Sequence, residues 1–121
     1  MITIYHNPRC SKSREALALV EAIAARRQLT VDVVEYLRTP PDLAQLSALQ
    51  ATLGCKVADM VRSNEDEYDA FGLAQADDGA LLAAIAAHPK LLQRPIVVFG
   101  KRAVIARPPE LVTSLLEDEG A

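Results

Sequence analysis

The sequence predicts an α/β protein: a four-stranded mixed sheet with flanking helices, interrupted by an all-helical insertion at about residues 42–90. Two observations lead to this fold class. Short runs of β-branched and apolar residues lie towards the two ends of the 121-residue chain, whereas the stretch between them has apolar residues at helical spacing. Half of the residues are hydrophobic but only 4% are aromatic, a composition that favours helices over a β-sandwich or barrel.

The first third of the chain predicts a strand, a helix and a second strand. Residues 2–5 are β-branched and aromatic, which is typical of a strand, and Pro8 disfavours helix at the residue before it. Apolar residues recur at helical spacing from Ser11 to Arg27, and residues 31–36 (VDVVEY) predict the next strand. Such a unit most simply gives two parallel strands joined by a right-handed crossover.

The middle of the chain predicts helices. A stripe of leucines from Leu43 to Leu53 indicates one helix, which Gly54 ends. Residues 55–71 predict shorter helical pieces without a strand, and residues 77–87 predict a further helix that stops before Pro89.

The last part of the chain predicts a hairpin and a final helix. Residues 95–99 (PIVVF) form a continuous apolar run, typical of a buried strand, and residues 103–106 its antiparallel partner after a tight turn. The pair Pro108–Pro109 then opens a helix. The two ends of the chain together have the thioredoxin-type order of elements, and the length fits a single domain, residues 1–121.

Charge and composition exclude several classes of protein. The net charge of −3 argues against general nucleic-acid binding, which needs a basic surplus. No apolar run reaches the roughly 18 residues of a membrane-spanning helix, and the N-terminus does not resemble a signal peptide. We therefore expect a cytoplasmic protein, most simply a monomer, whose two cysteines are free thiols. Two histidines and two cysteines far apart in the sequence make a zinc site improbable, so no metal is expected.

Cys10 is the candidate nucleophile. It lies between the first predicted strand and the first predicted helix, where free backbone N–H groups and the helix dipole stabilise a thiolate. Cationic or potentially cationic side chains surround it: His6, Arg9, Lys12 and Arg14. The alternative is a buried, inert cysteine, but a polar turn broken by proline is an unusual place for one. Ser13 stands where a C-x-x-C motif would have its second cysteine, so any second thiol must come from elsewhere.

Four segments carry a resemblance to a known family. Residues 6–14 (HNPRCSKSR) resemble the active-site segment of the glutaredoxin-linked arsenate reductases, and residues 94–98 (RPIVV) and 107–110 (RPPE) resemble that family's later signatures. Residues 36–41 (YLRTPP) are similar too. The RCSKSR and RPPE variants look like a short subgroup of arsenate reductase-like proteins within the thioredoxin-like superfamily.

The resemblance implies an activity in arsenic detoxification. Cys10 would attack arsenate, glutathione would attack the resulting adduct and release arsenite, and glutaredoxin would clear the mixed disulfide. Glutathione would thus be a co-substrate, with no bound cofactor. Three arginines would bind the oxyanion, because guanidinium groups bind such anions bidentately: Arg62, Arg94 and Arg107. A surface charge or salt bridge is the alternative for each, with Asp59 and Asp66 as local partners for Arg62.

The resemblance also implies a cis bond between Arg94 and Pro95, as in thioredoxin-type folds.

Residues beside Cys10 are candidates for tuning its thiol or shaping its loop. His6 could act on the thiol by charge or hydrogen bonding, or merely cap the turn. Asn7 and Ser13 could shape the loop through bonds to the backbone, and Ser13 or Ser11 could cap the helix. Arg14 could bind the anion or glutathione, or pair with a neighbouring glutamate or with solvent.

Cys55 is expected to have a structural role. It follows Gly54 at a helix junction and is expected to be a small buried hydrophobe. The alternative is a disulfide with Cys10, which nothing in the sequence favours.

Two other functions fit parts of the same pattern. One is a monothiol glutaredoxin-like thiol–disulfide oxidoreductase, because a reactive thiolate at Cys10 is all that it requires. The other is a non-enzymatic regulator of the same fold that binds RNA polymerase. Relatives of that kind sense oxidants through a C-x-x-C motif, which Ser13 interrupts here.

Overall fold

The computed structural model describes residues 1–117 of the chain, with four strands and five α-helices among them. The strands are β1 (Ile2–His6), β2 (Val31–Glu35), β3 (Ile96–Phe99) and β4 (Arg102–Ile105). The α-helices are α1 (Ser11–Arg27), α2 (Leu43–Leu53), α3 (Asp66–Ala70), α4 (Asp78–Ala87) and α5 (Leu111–Glu117). Short 3-10 helices span Val57–Met60, Leu73–Gln75 and Pro89–Leu91.

The chain divides into two compact units. The sheet unit contains Met1–Tyr36 and the chain from Arg94 onward, and the helical unit is Leu37–Gln93. The helical unit is therefore one continuous insertion, a few residues longer at each end than the sequence predicts.

The sheet is mixed, in the order β2-β1-β3-β4. Strand β1 runs parallel to β2, with Ile2 opposite Val31, and antiparallel to β3, with Tyr5 opposite Ile96. Strands β3 and β4 form the predicted antiparallel hairpin, in which Ile96 lies opposite Ile105. These pairings confirm the predicted mixed sheet, and the strand bounds differ from prediction by one residue, as strand ends commonly do.

The core of the sheet unit is apolar and lies between β1, β3, α1 and α5. Strand β1 alternates between buried and half-buried positions, so Ile2, Ile4 and His6 share its buried face. Val20 of α1 and Leu116 of α5 are fully buried in the same core. The alternation thus carries a histidine into the interior where the strand ends.

Side-chain caps mark the starts of two helices in the helical unit, α2 and α4. Asp42 and Gln45 form a capping box at the start of α2, with hydrogen bonds of 2.8 and 2.9 Å, and Gly54 ends that helix in the left-handed conformation. The Asp77 carboxylate accepts from the N–H of Ala80, so α4 begins one residue later than predicted. Among the helices within residues 1–117, none has both the length and the apolar character needed to cross a membrane.

Candidate active site

Cys10 occupies the N-cap position of α1 in the sheet unit. Its backbone is extended (φ −93°, ψ 122°), and its carbonyl accepts the first bond of the helix from the N–H of Arg14 at 3.0 Å. Its own N–H donates to the carbonyl of Asn7 at 3.0 Å, which closes the turn after β1. The half-buried sulfur therefore lies at the end of the helix where the backbone N–H groups have no carbonyl partner within the helix.

The surroundings of this sulfur favour a thiolate. Partial burial raises the pKa of the Cys10 thiol, but hydrogen bonding to the N–H of Ser13, to the Arg94 side chain and to the N–H of Lys12 outweighs burial. The pKa of Cys10 therefore lies below its ordinary value. Cys55 is a free thiol that is half-buried and not buried as expected, and its partial burial and the nearby Asp59 carboxylate raise its pKa instead. The two thiols consequently differ in reactivity, since the thiolate is the nucleophilic form.

The loop around Cys10 rests on a buried polar cluster. The Nδ1 atom of His6 lies 2.6 Å from Oγ of Ser13, and the same oxygen accepts from the N–H of Asn7 at 3.0 Å. The Asn7 side chain in turn accepts from the N–H of Arg9 at 3.0 Å. Within residues 1–117, His6, Asn7 and Ser13 are the polar or charged residues that are buried, at 5%, 8% and 0% exposure. We call these three residues the loop cluster.

The expectation that Ser11 or Ser13 caps α1 is wrong. The cap position requires an extended backbone immediately before the first helical residue, and Cys10 has it. Ser13 instead lies inside the first turn and faces back towards His6 and Asn7.

His6 enters this cluster as a neutral imidazole. Burial lowers its pKa and the nearby Arg14 lowers it further, while Glu35 and Glu21 act in the opposite direction, and the net pKa is below the ordinary value. We assign the ring proton to Nε2, so that Nδ1 accepts the hydrogen bond from the Ser13 hydroxyl. The hydrogen bond of His6 is to Ser13, so a direct action of His6 on the Cys10 thiol stays a prediction.

Arg94 and Arg107 lie together at the open end of the β3–β4 hairpin. Because β3 and β4 are antiparallel, the second residue before β3 and the second residue after β4 are close, and Nη1 of Arg107 donates to the Arg94 carbonyl at 3.2 Å. Arg94 is half-buried and acts directly on the sulfur of Cys10, whereas Arg107 is exposed. The bond between Arg94 and Pro95 is cis, as expected, and so is the bond between Arg107 and Pro108, which the sequence did not predict.

Arg14 supports the loop from outside. Its Nη1 donates to the Pro8 carbonyl at 3.0 Å, so the side chain reaches back across the turn. The neighbouring glutamate, Glu15, forms its ion pair with Lys12 at 3.7 Å.

Arg62 belongs to the helical unit. Its Nε atom forms an ion pair with Oε2 of Glu65 at 3.7 Å, and its side chain is only 12% exposed. The sequence named Asp59 and Asp66 as local partners and did not single out Glu65.

In the part of the chain that the structure describes, no group of three or more His, Cys, Asp or Glu residues could hold a metal ion.

Sequence comparisons match known proteins over nearly the whole chain. A profile of the ArsC family matches residues 5–115. The chain is 47% identical over 118 residues to an arsenate reductase of Neisseria meningitidis, covering 95% of this chain and 97% of that protein. It is 37% identical over 119 residues to an arsenate reductase of Escherichia coli, covering 97% of this chain and 82% of that protein.

The fold of the chain is also similar to that of a solved structure. An arsenate reductase from Vibrio cholerae superposes with a TM-score of 0.85 at 45% identity, covering 93% of this chain and 95% of that one. The predicted thioredoxin-like fold is thereby confirmed.

Proposed function

Because the chain belongs to the ArsC family, we propose that it reduces arsenate to arsenite with Cys10 as the nucleophile. The single observation that carries this proposal is the sulfur of Cys10 at the start of α1, where backbone N–H groups and Arg94 lower its pKa. The lowered pKa increases the fraction of Cys10 that is present as the nucleophilic thiolate at a given pH.

The proposed chemistry has two steps at this sulfur. First, the Cys10 thiolate attacks arsenic and forms a sulfur–arsenic bond, and one arsenate oxygen takes up protons and leaves as water, so arsenic stays pentavalent. A glutathione thiolate then attacks the Cys10 sulfur and forms a disulfide. The electron pair of the sulfur–arsenic bond remains on arsenic, which leaves as trivalent arsenite. The mixed disulfide holds the two oxidising equivalents.

The anion is held by arginines in this proposal. Arg94 already acts on the Cys10 sulfur, so an oxyanion that reacts with this sulfur lies within reach of its guanidinium. Arg107 is held at the Arg94 carbonyl and would supply a second guanidinium. Arg62 is included as the third anion ligand on the resemblance of its segment to the family. Each stays charged at any physiological pH, which suits recognition of a multiply charged anion.

The second thiol comes from outside the chain in this proposal. The position of a resolving cysteine in the turn is occupied by Ser13, which is fully buried in the loop cluster. Cys55 is a poor substitute because its pKa is raised. Glutathione with glutaredoxin would therefore complete the cycle, in the reducing cytoplasm and with the protein as a monomer.

Coupled turnover tests the proposal. NADPH oxidation is followed with arsenate, glutathione, glutaredoxin and glutathione reductase for the wild type, Cys10→Ser and the matched control Cys55→Ser. We expect arsenate-dependent turnover that only Cys10→Ser abolishes. If the wild type shows no arsenate-dependent turnover while Cys10 still alkylates rapidly, arsenate is the wrong substrate and the thiol–disulfide oxidoreductase takes its place.

Arginine variants test the electrostatic part. Arg94→Ala should raise the pKa of Cys10, measured from the pH dependence of alkylation, because it removes a hydrogen bond and a positive charge from the thiolate. Arg107→Ala should weaken oxyanion binding more than it changes the thiol, because its described bond is to the Arg94 backbone. An unchanged Cys10 pKa in Arg94→Ala would remove Arg94 from the site.

A further inference from the structure

We propose that Arg14 binds a carboxylate of the incoming glutathione and thereby places the glutathione thiol against the Cys10 sulfur. This inference rests on the proposed function, in which glutathione attacks that sulfur, and it names the residue of this chain that recognises glutathione. Arg14 and Cys10 both belong to the sheet unit, and the proposed oxyanion site does not use Arg14.

The backbone holds Arg14 one helical turn from Cys10. Its N–H donates to the Cys10 carbonyl at 3.0 Å, which is the first hydrogen bond of α1. Residues at this spacing in a helix have Cβ atoms about 5–6 Å apart, and helical side chains lean towards the N-terminus. The Arg14 side chain does so, since its Nη1 donates at 3.0 Å to the carbonyl of Pro8 in the turn before Cys10. The guanidinium is therefore held at the turn that carries the sulfur.

This guanidinium has donors left for a ligand. A guanidinium group has five N–H donors, and the bond to the Pro8 carbonyl uses one of them. The neighbouring carboxylate, that of Glu15, pairs with Lys12 at 3.7 Å. Arg14 is exposed, so a solute can reach its other donors. A carboxylate suits them best, because its two oxygens accept parallel hydrogen bonds from one guanidinium.

The dimensions of glutathione fit this arrangement. Its thiol belongs to the central residue of a tripeptide, and a free carboxylate lies on the glycine that follows. The covalent path from the sulfur to this carboxylate is as long as two backbone residues, so the two groups can lie up to about 7 Å apart. This span matches the spacing of side chains one helical turn apart. A carboxylate on Arg14 therefore leaves the thiol within reach of Cys10.

Arg9 provides a matched control. It directly precedes Cys10 and is also exposed, but within residues 1–117 no hydrogen bond or ion pair holds its side chain. A side chain that is free before binding loses more conformational entropy when it is ordered by a ligand. Arg9→Gln thus removes the same charge by the same chemical change as Arg14→Gln, but from a side chain that is not positioned in advance.

Thiol exchange at Cys10 isolates the glutathione step from arsenate. In a Cys55→Ser background, dithiodipyridine converts Cys10 into a mixed disulfide with thiopyridine. The glutathione thiolate then attacks the Cys10 sulfur and forms a new disulfide with it. The old sulfur–sulfur bond breaks with its electron pair on the pyridine sulfur, the ring nitrogen takes up a proton, and the thiopyridone that leaves is followed by its absorbance.

The ratio of two rates measures recognition of the carboxylates. Each variant is assayed with glutathione and with glutathione diethyl ester, which has the same thiol but no free carboxylate. We expect Arg14→Gln to slow glutathione about two- to fivefold, the scale of an exposed ion pair, and to leave the rate of the diester unchanged. Arg9→Gln should slow glutathione by less than about 1.5-fold. The loss in Arg14→Gln should shrink at high salt, which screens exposed charges.

The outcomes separate this inference from the function on which it rests. A distorted turn slows both thiols alike, so an unchanged ratio in Arg14→Gln would show that Arg14 supports the turn and does not bind glutathione. An equal fall of the ratio in Arg9→Gln would assign the effect to the general charge of the loop and overturn the inference. Arg14→Lys keeps the charge and should keep the ratio above that of Arg14→Gln. If the ratio falls only in Arg14→Gln but the coupled assay shows no arsenate-dependent turnover, the proposed substrate fails and the glutathione site stands.

Discussion

Replacing Ser13 by alanine should destabilise the protein far more than the loss of one hydroxyl suggests. Ser13 is fully buried, and its oxygen serves both the N–H of Asn7 at 3.0 Å and Nδ1 of His6 at 2.6 Å. Ser13→Ala leaves both of these buried groups without this partner, at a cost of about 1–3 kcal/mol each. Alanine returns about 0.5 kcal/mol through its better helix propensity, so the net loss is about 1.5–5.5 kcal/mol.

The assay is thermal unfolding followed by far-UV circular dichroism. For a chain of this length the loss corresponds to a fall in Tm of roughly 6–22 °C, at about 4 °C per kcal/mol. Ser11→Ala is the matched control, because Ser11 lies in the same helical turn but is exposed, and it should change Tm by less than about 2 °C. If Ser13→Ala unfolds at the temperature of Ser11→Ala, the loop cluster does not stabilise the fold and the reasoning fails.

Two further predictions concern titration. As the pH is lowered, alkylation of Cys10 in the Cys55→Ser variant should begin to slow at a lower pH than alkylation of Cys55 in Cys10→Ser, because the pKa of Cys10 is lowered and that of Cys55 is raised; coincident pH profiles would contradict this. Acid should also destabilise the protein through His6. Burial lowers the pKa of His6 from its ordinary 6.5, so the unfolded chain binds the proton more readily, and stability is lost as the pH falls through 6.5. Tm should therefore fall more steeply in the wild type than in His6→Asn between about pH 7.5 and 5.5, and an equally steep fall in both would refute the assignment.

The order and type of the main elements could be predicted because they follow from local periodicity. The leucine stripe before Gly54 gives α2 with its observed bounds, and the apolar run after Pro95 gives β3. The position of Cys10 at the start of α1 could be predicted in the same way, since a strand, a proline-broken turn and a helix follow each other closely in sequence.

The partners of individual side chains could not be predicted, because they depend on where irregular segments turn. The His6–Ser13 contact joins residues seven apart across a turn that has no period. Arg62 and Glu65 are three apart, but they lie between a 3-10 helix ending at Met60 and a helix starting at Asp66, so helical spacing rules do not apply to them. One clue was available: strict alternation along β1 turns His6 inward with Ile2 and Ile4.

The hydrogen bonds that define the Cys10 turn bypass the sulfur atom. They join the Cys10 N–H to Asn7, the Arg9 N–H to the Asn7 side chain, and the Asn7 N–H to Ser13. A group attached covalently to the sulfur therefore breaks none of these three bonds, although it changes the hydrogen bonds that the sulfur itself accepts from Ser13, Lys12 and Arg94. Each chemical form of the cysteine can share one backbone geometry, so the chain has no rearrangement to undo when the thiol is regenerated.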